Sequence, residues 1–249
     1  MSLPVVVITG AGRGIGAATA LLAARRGYGV AVNYLRDRAS AEGVAEAIRA
    51  EGGRAAALQA DISREEDVVR LFAEVDGELG PVTALVNNAG VLEPQMRVEE
   101  MDAARWTRVL TVNVIGSFLC AREAVRRMST KHGGTGGAIV NISSAASRLG
   151  SPGEYVDYAA SKAAVEALTI GLAKEVALEG IRVNAVRPGV IYTSIHASGG
   201  EAGRVDRVKD AVPMKRGGQP EEVALAILWL LSEEARYSTG TFIDVSGGR

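Results

Sequence analysis

The sequence contains very little cysteine and histidine, with one cysteine and two histidines among 249 residues. The single cysteine, Cys120, excludes a disulfide within the chain. It stands in an apolar stretch of predicted helix, which favours a buried core thiol over a catalytic nucleophile. Neither His132 nor His196 has further ligand-type residues at the spacing of a metal site. The sequence therefore predicts neither a disulfide nor a metal centre.

Long apolar runs and a charge excess are also missing. Although 47% of the residues are hydrophobic, no stretch approaches the ~18 consecutive apolar residues that cross a membrane. The N-terminus has no basic segment followed by an apolar one, so we expect a cytoplasmic protein without a signal peptide. The formal net charge of −1 at pH 7 gives no indication of nucleic acid or an anionic membrane as a partner.

Short aliphatic runs alternate with helical segments along the whole chain. Their hydrophobicity is continuous, which is typical of parallel strands covered on both faces. The predicted strands contain Val5–Ile8, Val30–Val32, Ala55–Leu58, Ala84–Val86, Ala138–Val140, Val183–Val186 and Phe242–Val245. After the first strand's helix, further helices are predicted around 40–51, 64–78, 101–130, 155–179 and 220–232. The pattern predicts an α/β fold: residues 1–249 as a single Rossmann-type domain with a doubly wound parallel sheet of about seven strands.

A glycine-rich turn follows the first strand directly and opens the first helix. Glycine lets the backbone turn sharply and approach a ligand closely. The unpaired N–H groups and the helix dipole then attract an anion. Between a strand and a helix, the expected anion is the pyrophosphate of a dinucleotide. The predicted binding residues are Gly10, Arg13, Gly14, Ile15 and Gly16.

The end of the second strand indicates which dinucleotide is bound. An acid there holds the ribose 2′-OH of NAD, whereas an arginine suits the 2′-phosphate of NADP. The strand ends at Asn33 without an acid, Arg36 follows, and Arg13 adds a second guanidinium on the same side. We therefore predict NADP(H), contacted by Asn33 and Arg36, with NAD(H) as an alternative. In that alternative Arg36 is a solvated helix-start residue and Asp37 is a displaced NAD acid.

Two further strand ends supply candidate cofactor contacts, because ligands bind at the carboxyl ends of strands in open α/β sheets. Asp61, after the third strand, is either a loop acid or a partner of the adenine amine. The helix that follows is predicted to begin with a capping box at Ser63–Glu66. Small and amide residues after the fourth strand suit a backbone that passes close to the cofactor. The candidate contacts are Asp61, Ile62, Asn88, Ala89 and Gly90.

Tyr158 and Lys162 are four residues apart in a predicted helix, so they lie on one face within contact range. A free tyrosine has a pKa of ~10, and a neighbouring ammonium is expected to lower the pKa of Tyr158 and make it a proton donor and acceptor. The alternative is an ordinary helix with a surface lysine. Upstream, Ser143 and Ser144 end a strand at the same sheet edge, where a hydroxyl can hydrogen-bond a substrate carbonyl.

Together these motifs resemble those of the short-chain dehydrogenase/reductase family, and the resemblance spans essentially the whole chain. The glycine turn of that family corresponds to Thr9–Gly16, its Asn-Asn-Ala-Gly to Asn87–Gly90, and its Tyr-x-x-x-Lys to Tyr158 and Lys162. The resemblance implies an oxidoreductase that transfers a hydride between a nicotinamide and a carbonyl or secondary alcohol.

The resemblance also implies a role for individual residues. Ser144 is expected to orient the carbonyl and Tyr158 to deliver the proton, while Lys162 lowers the Tyr158 pKa and binds the ribose. Asn113 is expected to hold a water that relays protons to Lys162. The remaining expected contacts, at the nicotinamide end, are Pro188, Gly189 and Thr193.

Two features depart from the family pattern. The spacing from Ser144 to Tyr158 is one residue longer than usual, with the insertion placed near Tyr155, so Ser143 stays a second candidate for the catalytic hydroxyl. The stretch from Ile195 to Arg216 has little pattern, and residues 190–218 correspond to the segment that caps the substrate in this family. His196 in that segment either touches the substrate or is a solvated loop histidine.

The substrate stays open, because the resemblance is about equal to NADPH-dependent 3-oxoacyl-carrier-protein reductases, to carbonyl reductases and to sugar dehydrogenases. One alternative is therefore an NAD(P)-dependent sugar or polyol dehydrogenase of the glucose type. Another is a non-catalytic NADP(H) sensor. The helices around 101–130 and 155–179 resemble those that pair across subunits in this family, and small residues in the second allow close helix approach. We therefore predict a homotetramer with two-fold axes; the alternative is that the small faces pack on the chain's own sheet. The small residues are Ala159, Ala163, Ala164, Ala167 and Gly171.

Overall fold

Seven parallel strands make up the sheet of the protein, whose structure is a computed structural model that describes residues 3–249. The strands are β1 (Val5–Ile8), β2 (Gly29–Tyr34), β3 (Arg54–Gln59), β4 (Ala84–Asn87), β5 (Gly137–Ile142), β6 (Ile181–Pro188) and β7 (Phe242–Val245). They lie in the order β3-β2-β1-β4-β5-β6-β7, and each neighbouring pair runs parallel. The predicted Rossmann-type α/β fold is confirmed, and each strand contains the aliphatic run that predicted it.

Helices connect these strands and cover both faces of the sheet. In the described part of the chain they are α1 (Gly14–Arg25), α2 (Arg38–Ala50), α3 (Glu65–Glu78), α4 (Ala103–Leu110), α5 (Gly116–Met128), α6 (Ala146–Leu149), α7 (Val156–Val176), α8 (Ile195–Ser198), α9 (Arg204–Val208) and α10 (Pro220–Leu231). The sequence did not predict α6, α8 or α9, because helices this short do not establish a helical periodicity.

The predicted helix around 101–130 is divided in the structure. A π-helical segment, Thr111–Ile115, joins α4 to α5. Such a segment widens the helix locally and often occurs at functional sites. Here it contains Asn113, whose side-chain amide bonds to the main chain of Val91 after β4.

The continuous hydrophobicity of the strands reflects a core on each face of the sheet. On one face Val5, Val7 and Leu85 pack against α3, α5 and α7, while Val6 and Ile8 face α1, α2 and α10. Successive residues of a strand point to opposite faces, so both sets must be apolar. Cys120 belongs to the first core, and burial raises the pKa of its thiol to about 12, which confirms a core thiol.

The strand order places a crevice at one edge of the sheet. The chain builds β2 and β3 on one side of β1 and then β4 to β7 on the other. The loops that leave the carboxyl ends of β1 and β4 therefore diverge, which is where doubly wound folds bind ligands. No helix of the described residues is long and apolar enough to span a membrane.

The capping box predicted before α3 is wrong. Arg64, not Ser63, occupies the N-cap position and makes no side-chain cap. The amide and hydroxyl of Ser63 instead donate to Oδ1 of Asp61 at 3.0 and 2.6 Å. The short side chain of a serine can hydrogen-bond either to the main chain at the start of a helix or to a neighbouring acid. Here Ser63 bonds to Asp61 instead of to the start of α3.

Candidate functional site

A cavity of about 1290 Å³ lies along the carboxyl edge of the sheet. It is lined by the glycine turn after β1, by the loops after β2 to β6, by α7 and by the segment containing α8 and α9. Nearly all of the residues predicted for the site line this one cavity. Gly16 and Asn113 are the exceptions among them, and both lie behind its wall. The described residues contain no group of three or more His, Cys, Asp and Glu that could hold a metal ion.

The glycine turn has a geometry that other residues would not accept. Gly10 and Gly14 have φ of +62° and +55°, a region that strains residues with a β-carbon. A β-carbon on Gly16 would lie 2.6 Å from Nδ2 of Asn88. In the described chain, the hydrogen bonds of α1 begin with the Ala17 amide, which donates to the Arg13 carbonyl. The amides from Gly12 to Gly16 have no acceptor among the described residues and remain for an anionic ligand, as a dinucleotide pyrophosphate requires.

Two asparagines hold this turn in place. Asn33 is buried; its Oδ1 accepts from the Gly10 amide at 3.2 Å and its Nδ2 donates to the Leu58 carbonyl at 3.3 Å. The side chain of Asn88 donates to the carbonyls of Thr9 and Gly10. Both residues line the cavity, but their side chains are committed to the main chain. These side chains therefore shape the turn.

The edge of the cavity beside β2 carries unpaired positive charge. Arg13 and Arg36 are exposed and line the cavity, and within residues 3–249 neither side chain has a hydrogen bond or an ion pair. Asp37 is occupied, since Ser40 donates its amide and hydroxyl to the two carboxylate oxygens at 3.0 and 2.6 Å. These hydrogen bonds, helped by Arg13, hold the pKa of Asp37 below its usual range. Asp37 thus caps α2, and the arginines are the groups left for a ligand.

Tyr158 and Lys162 lie together in the first turns of α7. Nζ of Lys162 is 5.5 Å from the centre of the Tyr158 ring and donates to the carbonyl of Ile142 at 2.8 Å. Lys162 is buried, Tyr158 is half-buried, and both line the cavity. The structure therefore places the pair at the carboxyl end of β5, beside the proposed substrate position.

The protonation of this pair differs from the expectation. Burial raises the pKa of Tyr158 to about 12, and a hydrogen bond with Ser144 opposes that rise. Burial also lowers the pKa of Lys162 to about 8. The expected lowering of the Tyr158 pKa by Lys162 is therefore wrong for the protein by itself, because the loss of solvation dominates for both groups. At neutral pH, Tyr158 keeps its proton and can act as an acid.

The two candidate serines have different surroundings. The hydroxyl of Ser143 donates to Oε1 of Glu166 at 2.7 Å, and the residue is buried. Ser144 is half-buried and lines the cavity, and its Oγ accepts from the Ala146 amide at 3.1 Å. Only Ser144 is paired with Tyr158. The longer spacing to Tyr158 is accommodated in the loop between α6 and α7, so it leaves Ser144 beside the tyrosine.

Asn113 lies directly behind the lysine. Its Oδ1 accepts from the Val91 amide at 2.8 Å, and its Nδ2 donates to the Val91 carbonyl and to Oγ of Ser161. A β-carbon on Gly90 would lie 3.3 Å from Oδ1 of Asn113 and 3.5 Å from Nζ of Lys162. The asparagine therefore ties the loop after β4 to α7 at the position of the lysine.

The opposite wall of the cavity is closed by α8 and α9. Arg204 donates to Glu154 at 2.6 Å, and its guanidinium lies 5.0 Å above the centre of the Tyr155 ring. Arg207 donates to the other oxygen of Glu154 at 3.1 Å. This contact joins α9 to the longer loop before α7. Sequence reasoning missed it, because the paired residues are 50 and 53 positions apart and belong to no motif.

His196 belongs to this wall and is half-buried, so the solvated alternative is wrong. Its Nε2 lies 3.0 Å from the carbonyl of Ile191. A carbonyl only accepts, so Nε2 carries the proton. Burial lowers the pKa of His196, with a smaller contribution from Arg204, and the ring is therefore neutral at neutral pH.

The chain was compared with known families and proteins. The profile of a family described as enoyl-(acyl carrier protein) reductase matches residues 10–249. The uncharacterized oxidoreductase YgfF of Escherichia coli K12 is 61% identical over 247 residues, which cover 99% of this chain and 100% of that protein. The 3-oxoacyl-[acyl-carrier-protein] reductase FabG of Staphylococcus epidermidis is 37% identical over 244 residues, 97% of each chain.

Solved structures show the same similarity. A dehydrogenase/reductase from Sinorhizobium meliloti 1021 superposes with a TM-score of 0.91 at 31% identity, covering 100% of this chain and 95% of that one. The acetoin dehydrogenase YohF from Salmonella typhimurium gives a TM-score of 0.87 at 34% identity, covering 100% and 97%. In each case the similarity extends over the whole sheet and its helices.

Proposed function

Because the chain belongs to the short-chain dehydrogenase/reductase family of oxidoreductases, we propose that it transfers a hydride between NADP(H) and a carbonyl or secondary alcohol. One observation carries this proposal: a single cavity collects the glycine turn, two unpaired guanidinium groups and the Ser144, Tyr158 and Lys162 side chains. Its volume of about 1290 Å³ exceeds that of most small-ligand pockets, which are ~300–1,000 Å³. This leaves room for a dinucleotide and a substrate together.

The proposed preference for NADP(H) rests on the charges beside β2. Guanidinium groups match the geometry of a phosphate through paired hydrogen bonds. Arg13 and Arg36 have no protein partner in the described residues, whereas Asp37 is held by Ser40. A 2′-phosphate would therefore meet two available cations, and the acid beside them, Asp37, already accepts both of its hydrogen bonds from Ser40. Thr193 packs against Gly14, since a β-carbon on Gly14 would lie 3.3 Å from Cγ2 of Thr193, and we propose that Thr193 contacts the nicotinamide half.

Each catalytic side chain has a proposed task. Ser144 donates a hydrogen bond to the substrate carbonyl and orients it. Tyr158, which keeps its proton because burial raises its pKa to about 12, donates that proton to the oxygen as negative charge develops there. The reduced nicotinamide supplies the hydride when the cofactor is bound. Lys162 carries a positive charge beside the phenol, and Asn113 fixes the loop next to it and holds the water that relays protons to the lysine.

The names of two relatives suggest the first substrates to try. One is a 3-oxoacyl-[acyl-carrier-protein] reductase and another an acetoin dehydrogenase, so β-ketoacyl thioesters, acetoin and diketones form the core of a panel. Keto sugars and polyols test the sugar dehydrogenase alternative. A non-catalytic sensor has no use for the grouped Ser144, Tyr158 and Lys162, which speaks against that alternative.

The deciding experiment follows the loss of reduced-nicotinamide absorbance with NADPH and NADH in parallel across this panel. Turnover that depends on NADPH supports the proposal. Turnover mainly with NADH would overturn the cofactor preference and leave the reaction intact. Cofactor binding without turnover in either direction would favour the sensor.

We also propose that the protein is a homotetramer with two-fold axes. Several apolar or small residues of α4, the π segment, α5 and α7 are exposed. They are Leu110, Ile115, Phe118, Ala163, Ala167, Ile170 and Gly171. Of the small residues noted in the sequence, Ala159 is buried within the chain and Ala164 is half-buried. Light scattering tests this proposal: a mass near that of one 25.9 kDa chain would overturn it.

A further inference from the structure

One carboxylate behind the catalytic residues receives an unusual number of hydrogen bonds. Oε1 of Glu166, one turn of α7 beyond Lys162, accepts from Oγ of Ser143 at 2.7 Å, from Oγ of Ser147 at 2.5 Å and from Nε of Arg187 at 2.7 Å. Its Oε2 accepts from Nη2 of Arg187 at 2.8 Å. The same oxygen atom thus joins the end of β5, helix α6 and strand β6.

The two hydroxyl donors bracket the catalytic serine. Ser143 directly precedes Ser144 at the end of β5, and Ser147 lies in α6, three residues beyond it. Within its turn, Ser144 is held by the Ala146 amide on its Oγ and by the Ser147 amide on its carbonyl, and its hydroxyl pairs with Tyr158. The main chain on either side of it is bonded to β6 through the Ser143 and Ala145 amides. Glu166 adds the side-chain connection that ties both neighbours of Ser144 to α7.

We propose that Glu166 is a positioning residue, which holds the turn containing Ser144 at a fixed distance from Tyr158. Glu166 and Tyr158 both belong to α7. This inference rests on the proposed reaction, in which Ser144 and Tyr158 act on one carbonyl oxygen. Because Glu166 and Tyr158 belong to the rigid helix α7, a clamp from Glu166 to both sides of Ser144 fixes the serine against the tyrosine. Preorganised donors at the reacting oxygen require such support.

The charge of Glu166 suits this task. Burial raises its pKa, but Arg187 and the hydroxyls of Ser147 and Ser143 together lower it more, so the carboxylate stays ionised at neutral pH. An ionised carboxylate only accepts, which fixes both serine hydroxyls as donors toward it. Arg187 is itself anchored to β7, where its guanidinium lies 4.2 Å above the Phe242 ring and 3.7 Å from Asp244.

Stability alone does not account for this arrangement. A largely buried ion pair is weak evidence for stability, because apolar residues of similar size often pack as well. An apolar pair between α7 and β6 would hold the helix on the sheet but remove the acceptor that the two serines share. Ser143 would keep only the Lys162 carbonyl at 3.3 Å and Ser147 only the Ser144 carbonyl at 2.7 Å. The carboxylate therefore provides a connection to the catalytic turn that packing cannot replace.

The first test replaces Glu166 by Gln, which keeps the shape and removes the charged acceptor. We expect E166Q to lower kcat by ~10- to 100-fold, the range produced by a misplacement of about 1 Å, with an unchanged Kd for NADPH. The matched control is E175Q on the exposed face of α7, which should behave like the wild type. The concentration of folded E166Q is taken from the number of NADPH-binding sites. If kcat per binding site equals that of the wild type, the inference is overturned.

A double-mutant cycle separates positioning from a general structural role. If Glu166 acts through Ser144, E166Q should cost no more than ~2-fold in an S144A background, because the hydroxyl that it positions is gone. An undiminished loss in that background contradicts the inference. A merely structural residue would lower Tm and the fraction of folded protein in both backgrounds and leave kcat per binding site unchanged.

Two further experiments apply if E166Q does not fold or if the wild-type protein shows no turnover. S143A and S147A each remove one donor, and each should give a several-fold loss of kcat that disappears in the S144A background. A wild type without turnover on any substrate refutes the proposed function, and a crystal structure then tests the clamp alone. In E166Q or S147A the Ser144 Oγ should move by more than ~0.5 Å relative to Tyr158; an unmoved serine overturns the inference.

Discussion

Arg105 and Asp157 form a bidentate ion pair beneath the cavity, with Nε and Nη2 of the arginine 2.7 and 3.2 Å from the two carboxylate oxygens. The side chains are only 9% and 4% exposed. The pair joins α4 to the first turn of α7, directly before Tyr158, and Nη1 of Arg105 also donates to the Pro94 carbonyl. Three segments around Tyr158 therefore meet at one guanidinium.

Removing one partner of this pair should destabilise the protein strongly. Asp157→Ala leaves the Arg105 charge buried without its partner, and we expect the free energy of unfolding to fall by about 3–5 kcal/mol. The control is Glu93→Ala, whose partner Arg108 is 65% exposed, with an expected change of 0–1 kcal/mol. Denaturant titrations at one protein concentration measure both. Equal effects of the two variants would contradict the assignment of Arg105–Asp157 as a buried pair.

Tyr158→Phe tests the proton donor. The phenylalanine keeps the ring and the packing of α7 but cannot donate a proton, so turnover should fall by ~10²-fold or more. The Kd for NADPH, measured by fluorescence, should stay within a few-fold of the wild type. Tyr155→Phe is the control, since this second tyrosine lines the cavity but its hydroxyl accepts from Gln95. If Tyr158→Phe retains wild-type activity, the proposed mechanism is contradicted.

The pH dependence of the reaction should report Lys162. Burial lowers the pKa of Lys162 to about 8, so the lysine is charged below that pH and loses its proton above it. Carbonyl reduction needs the positive charge beside Tyr158, and kcat/KM should therefore fall as the pH rises through about 8. Tyr158 itself, with a pKa of about 12, should add no further loss below pH 10. In Lys162→Arg the side chain stays charged, so the fall of kcat/KM near the lysine pKa should disappear. If kcat/KM of this variant falls at the same pH, another group is responsible for the pH dependence.

Arg36→Ala tests the cofactor preference. The loss of one guanidinium at the proposed 2′-phosphate position should raise the KM for NADPH ~10-fold or more, since charge-assisted hydrogen bonds contribute ~1.5–3 kcal/mol. The KM for NADH should hardly change. The matched control is Arg38→Ala, which removes a nearby exposed arginine that lies 3.9 Å from Glu42. An equal rise for both cofactors, or an effect as large in the control, would remove Arg36 from the phosphate site.

The fold could be predicted almost completely from the sequence, because both of its signals are local. Aliphatic runs such as Val5–Ile8 must be buried on both faces of the sheet. The turn where the cofactor is expected is marked by Gly10 and Gly14, which have φ of +62° and +55°. The prediction failed where local signals compete. Ser63 donates to Asp61 and does not cap α3. The π segment contains Asn113, whose side chain bonds to Val91, 22 positions away in the sequence.

The amino-acid sequence was enough to predict the order of the elements, the turn that opens α1 and the four-residue spacing of Tyr158 and Lys162, since each depends on neighbours in the chain. The three-dimensional structure was needed to show that Ser144 is the serine paired with Tyr158, that Asp37 caps α2, and that burial raises the pKa of Tyr158. The structure was also needed to show that Glu166 accepts hydrogen bonds from Ser143 and Ser147. The same holds for the ion pair between Arg204 and Glu154, which closes one wall of the cavity. Solvation and long-range hydrogen bonding depend on residues far apart in sequence, and no spacing along the chain encodes them.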